Sequence, residues 1–157
     1  MTKLPIAQTL HRKGQWTGPA ETCTLDYDAR FLRRKRLTTD GGQGFVVDLL
    51  QATSLDHGDA LETDTGARIM ICAAAENVLV VTGDNLARLA WHIGNRHTPC
   101  EIRDGRLLIQ NDPVIAHMLT HLGASLTEDH LPFTPEGGAY GHGRTHSHEH
   151  GASAHAH

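Results

Sequence analysis

The chain has 157 residues, 39% hydrophobic but only 4% aromatic, and a formal net charge of −4 with histidine neutral. That length suits one ordinary domain or two small ones with an aliphatic core, and the acidic balance argues against nucleic acid as a partner. No apolar run approaches the roughly 20 residues of a membrane helix, so no membrane partner is expected.

The opening MTKLPIAQTLHRKG has no apolar signal-peptide core. The cysteines, Cys23, Cys72 and Cys100, are three, widely spaced and without a CxxC pair. Both features lead us to expect a reducing, cytoplasmic setting without a disulfide framework.

Residues 1–75 read as an all-β domain. Strand-like Phe31–Leu37 and Phe45–Leu50 flank Thr39-Asp40-Gly41-Gly42, and Ala60–Thr63 and Ala67–Cys72 flank Asp64-Thr65-Gly66. Asp-Gly and Thr-Gly pairs supply the positive φ of tight turns. No helical period persists, so a small barrel or sandwich is expected. The basic run from Arg30 through Arg33-Arg34-Lys35-Arg36 is either a docking patch for an acidic partner or nucleic acid, or a solvated strand whose aliphatic stems cover apolar surface.

Residues 76–135 change character. The β-branched Asn77–Thr82 reads as a strand. Asn85 can cap a helix carrying Leu86, Leu89, Ala90 and Ile93, which Gly94-Asn95 should stop. Pro99–Ile102 and Arg106–Ile109 are strands around Asp104-Gly105. Asp112-Pro113 opens a second helix with Val114, Met118, Leu119 and Leu122 as its apolar face and Gly123 as its end. Ser125–Leu131 is a last strand. The order β-α-β-β-α-β is that of a ferredoxin-like domain. The fold class is therefore α+β: an all-β domain, a ferredoxin-like domain and a disordered His-rich tail.

That tail spans residues 136–157. It ends HGRTHSHEHGASAHAH, with six histidines in its last sixteen residues: His142, His146, His148, His150, His155 and His157. Gly, Ser, Ala and Thr between them leave nothing to build a core. Neutral imidazole is a ligand for Ni, Cu, Zn and Fe, so metal binding by the tail is expected. Elsewhere, His92 lies within the first helix and His97 just beyond it. His117 and His121 are four apart and so share a helix face; without the glutamate of HExxH they do not suggest zinc-protease chemistry. Walker, dinucleotide-binding and nucleophile-elbow patterns do not occur, and no constellation asks for an enzyme.

Trp91-His92-Ile93-Gly94-Asn95-Arg96-His97-Thr98-Pro99 resembles the signature of the UreE family, the nickel metallochaperones of urease maturation. Asp112 through Ala124 is similar to that family's second helix. Arg33-Arg34-Lys35-Arg36, the Asp40-Gly41 turn, Leu55 with Gly58-Asp59-Ala60-Leu61, and Ala73-Ala74-Ala75-Glu76 follow its pattern in order, so the likeness covers nearly the whole chain. The resemblance implies a homodimer in which His97, one from each subunit, is the central ligand for Ni²⁺, with Zn²⁺ or Cu²⁺ also able to bind. It implies a partner-binding β domain, tail histidines that complete the coordination shell, and as partners an accessory GTPase and apo-urease. The extra histidines that some members carry before the second helix are replaced here by Asn111-Asp112-Pro113. A nickel or zinc buffer, or a peptide-binding scaffold for urease assembly, are the alternative functions.

Overall fold

Short alternating segments separated by Gly and Asp turns become ten strands and two helices in the computed structural model, which describes residues 3–138. In chain order these are β1 (Ile6–His11), β2 (Glu21–Leu25), β3 (Phe31–Thr38), β4 (Gly44–Ser54), β5 (Ala60–Thr63) and β6 (Arg68–Ala73). Then follow β7 (Ala75–Thr82), α1 (Leu86–Asn95), β8 (Glu101–Arg103), β9 (Arg106–Gln110), α2 (Pro113–His121) and β10 (Ser125–Pro132). The chain divides into two compact units between Ala74 and Ala75.

The first unit is one six-stranded sheet in the order β2-β6-β5-β1-β4-β3, with β1–β4 and β2–β6 parallel. Alternation in β4 buries Phe45, Val47 and Leu49, which pack with Leu37, Leu61, Ile69 and Ile71. Both edge strands meet at one end: the Asp40 amide donates to the Thr22 carbonyl at 2.8 Å, and the Thr22 and Thr24 hydroxyls donate to the Asp40 carboxylate. The two-sheet sandwich, one of the expected options, is not formed among the described residues. β1 and β2 carry Gln8, Thr9, Thr22 and Thr24, too little apolar alternation to stand out in sequence.

Two polar residues hold this unit from inside. Asp59 is fully buried and accepts from the Arg12 guanidinium at 2.8 Å, the Lys13 amide at 2.9 Å and the Asp56 amide at 2.8 Å. Arg30 is only 2% exposed and donates to the carbonyls of Leu55 and Leu25. It therefore does not belong to the solvated basic run, which begins at Arg33.

In the second unit the elements β7-α1-β8-β9-α2-β10 form a sheet ordered β10-β7-β9-β8. Leu79, Val81, Leu107 and Ile109 pack against Leu89 and Ile93 of α1 and Ile115 and Leu119 of α2. The expected apolar face of α2 needs correcting: Val114 is 63% exposed and Ile115 takes the core position. α1 also runs through Gly94 and Asn95, the residues expected to stop it. An isolated glycine costs a helix only about 1 kcal/mol, and the actual stop lies two residues later.

Candidate functional site

The end of α1 is built as a Schellman cap, the turn in which the residue after the cap takes a left-handed conformation. Arg96 is the cap. The His97 amide donates to the Gly94 carbonyl at 2.9 Å, and the Thr98 amide to the Ile93 carbonyl at 3.3 Å. His97 therefore sits at φ 58°, alone among the described non-glycine residues in having positive φ. α2 ends in the same pattern, with Gly123 at φ 91° and bonds from Gly123 to Thr120 and from Ala124 to Leu119. Glycine takes this conformation without strain, whereas a residue with a Cβ meets a cost of about 1 kcal/mol. A histidine in the glycine position is a local strain that places the imidazole on an exposed turn. One turn earlier, Trp91 is 62% exposed and meets the His92 ring edge-on, with centroids 5.0 Å apart.

The segment after β10 approaches the same turn from the other side of the sheet. Register places Glu101, Arg103, Leu108, Val80 and Val78 on the face away from the helices. Glu101 accepts from the Thr134 amide at 2.8 Å and pairs with the Arg103 guanidinium, which also donates to the Pro132 carbonyl at 3.3 Å. The Glu136 amide then donates to the Cys100 carbonyl at 2.9 Å. Pro132 pairs on β10 at one edge, and Cys100 precedes β8 at the other. Residues 133–136 thus run as a strap across that face, with Phe133 fully buried along it. No periodicity announces this strap; Pro132 and Pro135, which favour extended chain, are its only sequence trace.

Cys100 is a poor candidate ligand. Burial, with Glu136 and Glu101 adding to it, pushes its thiol up to about 11, so it is not a thiolate near neutral pH. The donors left on this turn are imidazole nitrogens, which suit borderline divalent metals. His117 and His121 lie exposed on α2, one helical turn apart. Among the described residues no three His, Cys, Asp or Glu side chains are gathered into a ready-made metal cluster. Of the expected ligands, His97 is described; His142, His146, His148, His150, His155 and His157 lie outside the described residues.

The basic run resolves into an edge-strand feature. β3 is the last strand of its sheet, and Arg33, Arg34, Lys35 and Arg36 are all exposed. Lys35 pairs with the fully buried Val47, so it points to the core face yet reaches solvent, and the register shifts between Leu32 and Arg34. A bulge and an inward-facing charge both discourage another strand from pairing there.

These features describe a two-unit α+β protein that offers a strained surface histidine beside a strapped C-terminal segment. The comparisons agree with a class of accessory chaperones rather than enzymes. The model of the UreE urease accessory protein N-terminal domain matches residues 2–74, and that of the C-terminal domain matches residues 76–157. The urease accessory protein UreE of Ruegeria pomeroyi is 57% identical over 147 residues, 94% of this chain and 99% of its own. That of Cereibacter sphaeroides is 57% identical over 152 residues, 96% of this chain and 83% of its own, and that of Rhodobacter capsulatus 54% identical over 138 residues, 88% of each. The chain belongs to the UreE family of urease accessory proteins. No helix among the described residues is long and apolar enough to cross a membrane.

Proposed function

We propose that this protein is a cytoplasmic homodimeric carrier that binds Ni²⁺ and delivers it to apo-urease as the urease metallocentre is assembled, with an accessory GTPase as its docking partner. The reading rests above all on His97, an imidazole in a conformation that favours glycine. A fold tolerates such strain where the side chain is needed. A lone imidazole holds a metal weakly, but a two-fold axis makes a pair of it. We read residues 76–135 as the ferredoxin-like unit that carries this axis, in keeping with its strand order. Residues 1–75 serve as the partner-binding unit.

The mechanism is ligand exchange. His142, His146, His148, His150, His155 and His157 collect ions and lend imidazoles to the His97 pair. An exposed site releases its ion faster than a closed one, which suits a carrier. Zn²⁺ and Cu²⁺ compete for the same nitrogens, and Cu²⁺ binds more tightly in vitro whatever the cargo in cells. Calorimetry with Ni²⁺ on the full chain and on His97→Ala tests the reading. The His97→Ala protein should lose the tightest site and keep weaker tail binding; retention of the tightest site would sink the assignment.

A further inference from the structure

We infer that His117 and His121 form a metal site of their own, a two-imidazole clamp on the solvent side of α2 that takes one borderline divalent cation such as Ni²⁺, Cu²⁺ or Zn²⁺. The site draws on no residue of the His97 turn and does not depend on how His97 is read.

The helix holds the pair in place. Asp112 caps its first turn by accepting from the Val114 and Ile115 amides, and Ile115 and Leu119 are buried against the sheet. At about 100° per residue, the midpoint of His117 and His121 lies about 160° around the helix from the midpoint of Ile115 and Leu119. Both histidines are accordingly exposed. Residues four apart on a helix have Cβ atoms about 5–6 Å from each other. Two imidazoles on one face at that spacing can close on one ion at the ordinary metal–nitrogen distance of about 2.0–2.1 Å.

The rings are also available. Among the described residues neither His117 nor His121 makes a side-chain hydrogen bond or an ion pair. Other imidazoles are engaged: His11 with Glu62 at 2.7 Å, His57 with the Ala73 amide at 3.1 Å, and His92 with the Trp91 ring. α2 carries no Asp, Glu, Lys or Arg, so no carboxylate on the helix competes for the rings and no cation on it repels a metal ion. His121 lies in the last turn, where unpaired carbonyls favour a positive charge. Neutral imidazole selects Ni, Cu and Zn over the oxygen-seeking Mg and Ca. Two protein ligands leave the other coordination positions to water, so the ion exchanges readily. Without a glutamate beside the pair the site binds metal and supports no hydrolysis.

The test is calorimetry with Ni²⁺ alone on the full-length chain in which His97 and every histidine from His142 onward are replaced by Ala. That chain should still bind one ion per protomer at a saturable site. Adding His117→Ala or His121→Ala should weaken this binding by about tenfold or more, because the second imidazole of a clamp acts at high effective concentration. Both positions are exposed and alanine is a good helix former, so the variants should fold. Proton NMR of the imidazoles gives an independent readout: paramagnetic Ni²⁺, added below one equivalent, should broaden the His117 and His121 signals before those of His11, His57, His92 and His130. Binding that neither substitution changes would put the ion elsewhere and overturn the inference. So would the lack of saturable binding, or broadening that begins at another histidine. Because His97 is absent from this chain, the outcome is independent of the reading of that residue.

Discussion

The Thr98 amide reaches back to the Ile93 carbonyl at 3.3 Å, and closing that bond drives the residue between helix and strand, His97, to φ 58°. The equivalent bond at the end of α2, from Ala124 to Leu119, is closed around Gly123. The fold thus contains its own control for what a side chain costs at this position.

His97→Gly should stabilise the second unit by about 0.5–1 kcal/mol, because glycine enters the left-handed region without the Cβ clash. His97→Ala should bring no such gain. Urea unfolding of both variants measures the difference, and a less stable glycine variant would show that the turn is unstrained.

Asp59 is buried and takes three hydrogen bonds, one of them from Arg12. Asp59→Ala deprives the Lys13 and Asp56 amides of their acceptor and takes one partner from Arg12, which keeps the Ser54 carbonyl at 3.0 Å, and should cost about 1–3 kcal/mol. Guanidinium denaturation should show the loss in the first unit. A cost below 1 kcal/mol would mean that the Asp56–Ala60 turn holds by its backbone alone.

Asp40 lies at the closure of β2 and β3. Hydrogen bonds from Thr22, then Thr24, hold its carboxyl below the ordinary value of 3.8. A folded value below the unfolded one gives stability that is present above the unfolded value and lost as pH falls through the folded value. Asp40→Asn should therefore flatten the acid limb of the stability curve below about pH 4. At neutral pH the cost should stay under about 1 kcal/mol, since the group is exposed. Thermal melts from pH 2 to 7 give the curve, and an unchanged acid limb would contradict the assignment.

Burial pushes the thiols of Cys23 and Cys100 up to about 11, while Cys72 is raised without reaching that level. Thiolates are the reactive form. At pH 8 a disulfide reagent should modify Cys72 first, and Cys23 and Cys100 only slowly. Mass spectrometry of partly labelled protein identifies the order, and early labelling of Cys100 would reopen it as a ligand.

Nickel bound through imidazole should be released on acidification. Each ring must be neutral to coordinate, and its ordinary pKa is about 6.5. Titrating the nickel-loaded protein from pH 8 to 5 should free most of the metal below about pH 6. Retention at pH 5 would require carboxylate or thiolate ligands instead.

Local chemistry was legible in the sequence. Asn85 and Asp112 cap their helices through the Arg88 amide and the Val114 and Ile115 amides. Ala60–Thr63 is the strand that its flanking turns demarcate. These outcomes depend on neighbours within four residues, and propensity and turn chemistry act at that range. Which of Val114 and Ile115 enters the core was not legible. Adjacent apolar residues satisfy the same helical period, and only the rotation of α2 on its sheet separates them.

The histidine block and the tail raise the expectation of metal binding by residue type alone, because neutral imidazole is a ligand wherever it stands. The left-handed backbone at His97 and the course of the strap were settled only by tertiary structure. Glu101 and Thr134 are 33 residues apart, and neither belongs to a periodic pattern that could pair them. They meet because sheet order puts β10 and β8 on opposite edges and a buried Phe133 draws the chain beneath. Composition shows that the chain carries imidazoles; the order of the strands decides where residues 133–136 run.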